Sequence, residues 1–355
     1  MSKKQDAPRQ KLDIIVTHYR EPWELGKKLF DILGLQRGID FGDIRVMLIH
    51  DGTDPFPEEY FSGRPYRVEQ FRIAHGGIAA ARNAGIRLSA AEWIMFCDFD
   101  DTFANVYALR DYLTIIPNDK YDMIWAPFYA EDVTKDGKMI LHERGQNVVF
   151  VHGKMYRRQF LLDTGLRFPE DLEFNEDSCF NAMLNTICDY RRIGAMKAPN
   201  IPYVWAFNPN SLTTTRGNRW KALRGLYERN KKVVDCFKRE MDAGRLARDR
   251  YCAMVARACV DAYYMLNLKE IPPEIKDIRD DFVKFYHEHQ GEMWETDAEM
   301  LRKVKAISKA EHETGDQEEK DRLGELAVEI PRADKTVTQW LSEIWQEGEQ
   351  APAGA

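Results

Sequence analysis

Apolar residues in the first hundred positions come in short runs separated by polar clusters. Leu12–Thr17 (LDIIVT) is a β-branched run behind a polar lead and predicts a buried strand. Pro22 then opens a stretch with Leu25, Leu29, Ile32 and Leu33 on one helical face, and proline's fixed φ suits a first helical turn. Ile44–Ile49 (IRVMLI) predicts a second buried strand and Tyr66–Phe71 a third. Gly76-Gly77 breaks the chain before an alanine-rich helix over Ile78–Leu88. Trp93–Cys97 (WIMFC) reads as a further strand, and so does Met123–Tyr129. Alternating strands and helices predict a parallel α/β sheet flanked by helices. Ligands of such sheets sit at the carboxyl ends of the strands. Three polar clusters fall at those ends: Thr17–Glu21, Asp51–Asp54 and Asp98–Asp101.

From Asn218 the pattern becomes helical. Trp220–Met241, Leu246–Leu268 and Ile275–His289 carry apolar residues at helical spacing, with Pro272-Pro273 as a break. The chain is therefore expected to divide into a disordered lead over residues 1–10, an α/β domain over 11–215, an α-helical module over 216–345 and a flexible tail over 346–355. The module would shape an acceptor site or form an oligomer contact.

Composition narrows the class. Of 355 residues, 44% are hydrophobic, enough for a sizeable core. No run approaches the roughly 20 apolar residues of a spanning helix, and the basic N-terminus lacks the apolar stretch of a signal peptide. Six cysteines form no CxxC pair and no zinc spacing, so reduced thiols and a cytoplasmic location are expected. A net charge of -7 argues against a general polyanion binder, but charge is uneven. Residues 216–250 hold twelve Lys/Arg against five acids, and the tail from Thr296 is acidic. The basic stretch is either a solvated helical face or a surface for an anionic acceptor, a membrane surface or an acidic partner.

Candidate chemistry concentrates at the strand ends. Asp98, Asp100 and Asp101 lie within four residues, and their mutual repulsion calls for a cation or solvent. Hard divalent ions take carboxylate oxygens and bridge to phosphates. The competing reading is an acidic helix cap, with Asp101 capping a helix from Asn105. Asp51 in DGTD either makes a plain turn or presents a carboxylate to a base N–H or ribose hydroxyls. In GGIAAARNAG the small residues allow a helix to approach a sheet closely, which would turn Arg82 toward a pocket as a planar, permanently charged fork. Glu176-Asp177 opens a helix and offers either an acidic first turn or a general base. His152, Lys154, Arg157 and Arg158 could face phosphate or form a basic turn. Tyr203–Trp205 and Asn208–Thr215 supply the aromatics and hydroxyls of a sugar-binding rim or a helix cap. Cys252 and Cys259, seven apart on a helix, read as core.

Read in order, IVTHYRE, LIHDGTD, GGIAAARNAGI, WIMFCDFDDTF, HGKMYRR and LRFPEDLEFNED resemble glycosyltransferase family 2 with a GT-A fold, over roughly residues 11–215. The resemblance implies a Rossmann-like, mostly parallel sheet flanked by helices. It implies transfer of a sugar from a nucleotide-sugar donor, by preference a UDP-sugar, to a glycan or other hydroxyl-bearing acceptor, with inversion. It also implies Mn²⁺ or Mg²⁺ on Asp98 and Asp100, nucleoside contacts from Thr17, Tyr19, Glu21 and Asp51, and Arg82 at the base or diphosphate. The catalytic base maps to Asp177, with Lys154 as a further cation near the diphosphate. The chain departs from the pattern in having no His between His152 and His287, so water or His152 would complete the metal's shell. Two neighbouring activities stay open: glycosylation of modified DNA bases, which the basic stretch permits but the overall charge does not favour, and nucleotidyl transfer at a similar metal site.

Overall fold

A computed structural model describes residues 10–134, 136–145, 149–196, 201–211, 219–267, 271, 273–295 and 337–350. The expected lead lies almost wholly outside these residues, as do Leu212–Thr215 and most of the acidic tail. The chain separates into two compact units, Met1–Thr214 and Thr215–Ala355.

In the first unit, β1 (Leu12–His18), β2 (Ile44–Asp51), β3 (Arg67–Ile73) and β4 (Trp93–Asp98) run parallel. The helices α1 (Trp23–Gly34) and α2 (Gly77–Leu88) provide the first and last of their connections. β5 (Thr102–Phe103) and α3 (Ala108–Ile115) follow. The run expected as one strand over Met123–Tyr129 is two. β6 (Met123–Trp125) joins the main sheet, and β7 (Phe128–Val133) pairs elsewhere. Pro127 at the break has no N–H to continue a ladder. Next come β8 (Met139–Arg144), β9 (Lys154–Arg157), α4 (Arg158–Thr164), α5 (Glu176–Ile187), β10 (Ile193–Ala195) and β11 (Tyr203–Trp205). The main sheet has the order β10-β6-β9-β4-β1-β2-β3, with β9 antiparallel to both neighbours. A smaller sheet has the order β5-β11-β7-β8.

Alternation along each strand distributes the two layers. Leu12, Ile14 and Val16 of β1 meet α1 and α3 through Leu29, Phe30, Leu33 and Leu109. On the opposite face, Ile15, Met47 and Phe96 belong to a core with Ala81 and Ala84 of α2 and Phe180 of α5. α2 comes close because Gly85 has no side chain: a Cβ there would lie 2.4 Å from Ile15 Cγ2. At the opposite end of the sheet from the polar clusters, Asp13 is fully buried and takes a two-pronged ion pair from Arg45 (2.9 and 2.7 Å).

The second unit contains α6 (Arg219–Asp242), α7 (Arg248–Leu266), α8 (Lys276–Glu295) and α9 (Val337–Gln350). Its core includes Tyr251, Val255, Cys259, Phe282, Trp340, Leu341 and Ile344, and Cys252 is also buried. Helix α9 continues to Gln350, into the segment expected to be flexible, because Trp340, Leu341 and Ile344 place one apolar face against its neighbours. Trp340 stacks on Phe282 at 5.2 Å. Part of the basic stretch is paired within this unit. Arg224 pairs with Asp277 and Lys231 with Asp281 of α8, both at 2.6 Å, while Lys238 pairs with Asp242 and Arg245 with Glu240. No described helix is long and apolar enough to cross a membrane.

Candidate active site

Parallel register brings the polar clusters together. Thr17 lies beside Asp98 in the β1–β4 ladder, and its Oγ1 is 3.4 Å from Asp98 Oδ1. Arg82, in the middle of α2 and 2% exposed, reaches the same carboxylate oxygen with Nη2 at 2.9 Å. Its Nη1 extends to Glu176 Oε1 at 2.7 Å. The guanidinium therefore spans the end of β4 and the first turn of α5. It faces two carboxylates. Desolvation of Arg82 is outweighed by the charges of Asp98, Glu176 and Asp177. Burial opposes ionisation of Asp98, but Arg82's charge and hydrogen bond prevail and hold its pKa below the ordinary value.

Glu176 and Asp177 begin α5 directly after Asn175, whose φ of 64° is a left-handed conformation asparagine tolerates. Burial raises the pKa of Asp177 against the opposing charge of Arg82 and the Ser178 amide, which donates to Oδ1 at 2.6 Å. Burial and the neighbouring Asp177 push Glu176 up as well. Tyr156 donates to Asn181 Oδ1 at 2.8 Å, and Asn181 Nδ2 donates to the Asp177 and Val149 carbonyls, tying this turn to the 149–156 segment. Asn83 accepts from the Phe168 N–H and donates to the Phe168 carbonyl, both at 2.9 Å, so the two residues of the ARN segment divide the work. One engages the site and the other fixes the loop that leads into it.

Lys154 is turned inward. It is fully buried, its Nζ donates to the Phe150 carbonyl, and burial pulls its pKa down to about 7 against the charge of Asp177. Asp51 is likewise turned inward. Its Oδ1 accepts from Gly76 N at 2.8 Å, and its Oδ2 from Gly77 N at 2.9 Å and His75 Nδ1 at 2.8 Å. It organises the start of α2. Glu21 accepts from Tyr19 N, and burial, with the charges of Asp100 and Asp98, raises it to about 7. Tyr19 remains exposed.

Asp101 caps no helix, since α3 starts only at Ala108 and Asp101 is fully buried. Tyr203 donates its hydroxyl to Asp101 Oδ2, and Ala206 N donates to Oδ1 at 2.9 Å. Burial and the charges of Asp98 and Asp100 raise Asp101 well above the ordinary carboxylate range. Asp100 receives Asn208 Nδ2 at 2.7 Å. Asn208, Tyr203 and Trp205, read from sequence as a sugar rim or cap, thus include two residues that hold the aspartates in place. His152 stacks on Trp205 (5.3 Å) and Tyr203 (5.4 Å), and burial lowers it to about 4, which keeps its imidazole neutral. One donor atom from each of Asp98, Asp101 and His152 lies within 4.8 Å of the others. Oxygen-rich donors with one neutral imidazole suit a hard divalent ion, so the residues present fit such a group.

This geometry has a counterpart among known proteins. The model for "Glycosyl transferase family 2" matches residues 13–171. Over those residues, a little under half of the chain, the sequence is similar to that family, and the fold is GT-A. The matched span includes Thr17, Arg82, Asp98, Asp100 and His152 but stops short of Asp177. The "Uncharacterized glycosyltransferase EpsJ" of Bacillus subtilis (strain 168) is 28% identical over 194 residues, covering 48% of this chain and 55% of its own length. The poly(ribitol-phosphate) beta-N-acetylglucosaminyltransferase TarS of Staphylococcus aureus strain Mu50 is 24% identical over 139 residues, 37% of this chain and 24% of TarS. The chain thus spans about half the length of the first of these curated relatives and a quarter of the second. The crystal structure of S. aureus TarS 1-349 in complex with UDP superposes with a TM-score of 0.58 at 16% identity, covering 84% of this chain and 90% of that one. At that identity the likeness establishes the fold alone.

Proposed function

We propose that the chain is an inverting glycosyltransferase that moves a sugar from a UDP-sugar to an acceptor hydroxyl. The observation that carries this reading is the Arg82 bridge, which joins Asp98 at the end of β4 to Glu176, beside Asp177, at the carboxyl ends of the strands. Asp177 removes the acceptor hydroxyl's proton, and its raised pKa, caused by burial, suits a general base. The acceptor oxygen attacks the anomeric carbon from the side opposite the diphosphate, the carbon–oxygen bond to the diphosphate breaks, and configuration inverts in one displacement. Mg²⁺ or Mn²⁺ held by Asp98 and Asp100, with His152 and Asp101 beside them, would supply charge neutralisation for the departing diphosphate. Asp101, clamped by Tyr203 and Ala206, and Asn208, bonded to Asp100, keep that acidic turn in position. Thr17, Tyr19, Glu21 and Asp51 line the nucleoside end, and Asp51 also anchors the start of α2 through the Gly76 and Gly77 amides. Lys154 is a buried cation whose charge acts on Asp177. Structural kinship to a UDP-bound relative supports the choice of uridine.

A panel of nucleotide-sugars with Mn²⁺, scored by thermal stabilisation and slow donor hydrolysis, tests the reading. Stabilisation by UDP-sugars with release of UDP is expected. Release of pyrophosphate would replace the reading with nucleotidyl transfer, and stabilisation without turnover on any acceptor would leave a binding module.

A further inference from the structure

His75 lies on the ligand side of β3, in the loop before α2. Its side chain is 56% exposed, yet it is held at two points. Nδ1 donates to Asp51 Oδ2 at 2.8 Å, and the ring stacks on Tyr19 with centroids 4.5 Å apart and planes 13° from parallel. Asp51 itself is only 4% exposed. The turn beneath is shaped for this approach. Gly52 has a φ of 74°, and a Cβ there would lie 2.6 Å from His75 Cβ. Any side chain at Gly52 would push His75 away.

A flat nitrogen heterocycle that donates one N–H to a carboxylate while stacked on a tyrosine has the interactions of a nucleobase in a base pocket. Both partners belong to residues assigned above to the nucleoside end. We propose that His75 occupies the base position in the donor-free protein and that the donor's base binds by displacing it. This inference rests on the UDP-sugar reading and adds a self-competing group to it. It also names the chemistry of the base. Replacing His75 on Asp51 requires a ring N–H flanked by carbonyls, as in uracil, or the ring N–H of guanine. Cytosine and adenine have no such ring donor. The Gly76 and Gly77 amides stay on Asp51 throughout, so displacement exchanges one hydrogen bond and one stack for equivalents from the ligand. A ligand that must first open a closed arrangement loses apparent affinity by the fraction that is open.

Calorimetric titration with UMP, which carries no diphosphate to engage a metal, tests the proposal on the full chain. If the closed arrangement outweighs the open one by about two- to ninefold, His75→Ala binds UMP about three- to tenfold more tightly than wild type. His75→Phe keeps the stack but not the donor and falls between the two. Tyr19→Ala, which removes the platform, binds more weakly. UMP binding to wild type with equal or weaker binding to His75→Ala overturns displacement and leaves the uridine reading intact. Absence of UMP binding by wild type, His75→Ala and His75→Phe alike overturns the uridine reading, and displacement with it.

Discussion

Arg82 and Glu176 stand 94 positions apart in the chain and meet at 2.7 Å, with Arg82 2% exposed. The same guanidinium holds Asp98 at 2.9 Å. A buried cation between two carboxylates leaves both uncompensated when it is removed, and breaking such a pair typically costs about 3–5 kcal/mol. Arg82→Met should therefore lower the melting temperature sharply. Arg82→Lys, a point charge without the fork, should recover part of the stability but not donor binding. Differential scanning calorimetry beside UDP titration checks both, and a melting temperature unchanged in Arg82→Met would show that the bridge contributes nothing.

Asp177→Asn retains shape and hydrogen-bonding capacity but accepts no proton. Transfer should fall by about 10²–10⁴-fold with UDP affinity kept. Glu176→Gln should reduce turnover less and stability more, because Glu176 is the partner of Arg82. Steady-state kinetics with donor and acceptor saturating separates them. Near-normal turnover in Asp177→Asn would move the base to another carboxylate.

The metal assignment predicts that Asp100→Ala loses Mn²⁺-dependent UDP binding, because a diphosphate facing Asp98 without a cation is repelled. Asn208→Ala frees Asp100 from its 2.7 Å partner and should weaken Mn²⁺ dependence without abolishing it. Titrations of UDP with and without Mn²⁺ read this out, and equal metal-independent affinity in wild type and Asp100→Ala contradicts the site.

His18 and His50, register partners at the ends of β1 and β2, are buried and face each other Nδ1 to Nδ1 at 2.9 Å. Burial lowers the pKa of both, and that of His50 falls to about 4 from 6.5. The unfolded chain then binds more protons than the folded one between these values. Stability is complete above about pH 6.5 and declines as pH falls toward 4. A shift of this size corresponds to about 3 kcal/mol. Melting temperature measured from pH 7 to 5 should drop in wild type and drop less in His50→Gln. Parallel pH profiles in the two proteins would remove His50 as a source.

Strand-sized apolar runs, the glycines before α2 and acidic clusters at strand ends are local patterns, and local patterns determined the layered α/β architecture and the place of the site within it. Gly85 on the sheet-facing side of α2 and Cys259 in the helical core follow from composition and periodicity, since both depend on side-chain size at a fixed spacing. Orientation does not follow in that way. That Asp51 turns back onto Gly76 and Gly77, that Lys154 is buried within reach of Asp177's charge, and that Asp101 is clamped by Tyr203 over a separation of 102 positions depend on which strands become neighbours. The same holds for the charge of α6. Arg224 and Lys231 read as part of a basic face until α8 supplies Asp277 and Asp281. A side chain's partners across the chain are set by packing, because a buried charge goes to whichever opposite charge the fold brings within hydrogen-bonding distance, and spacing along the sequence carries no record of that distance.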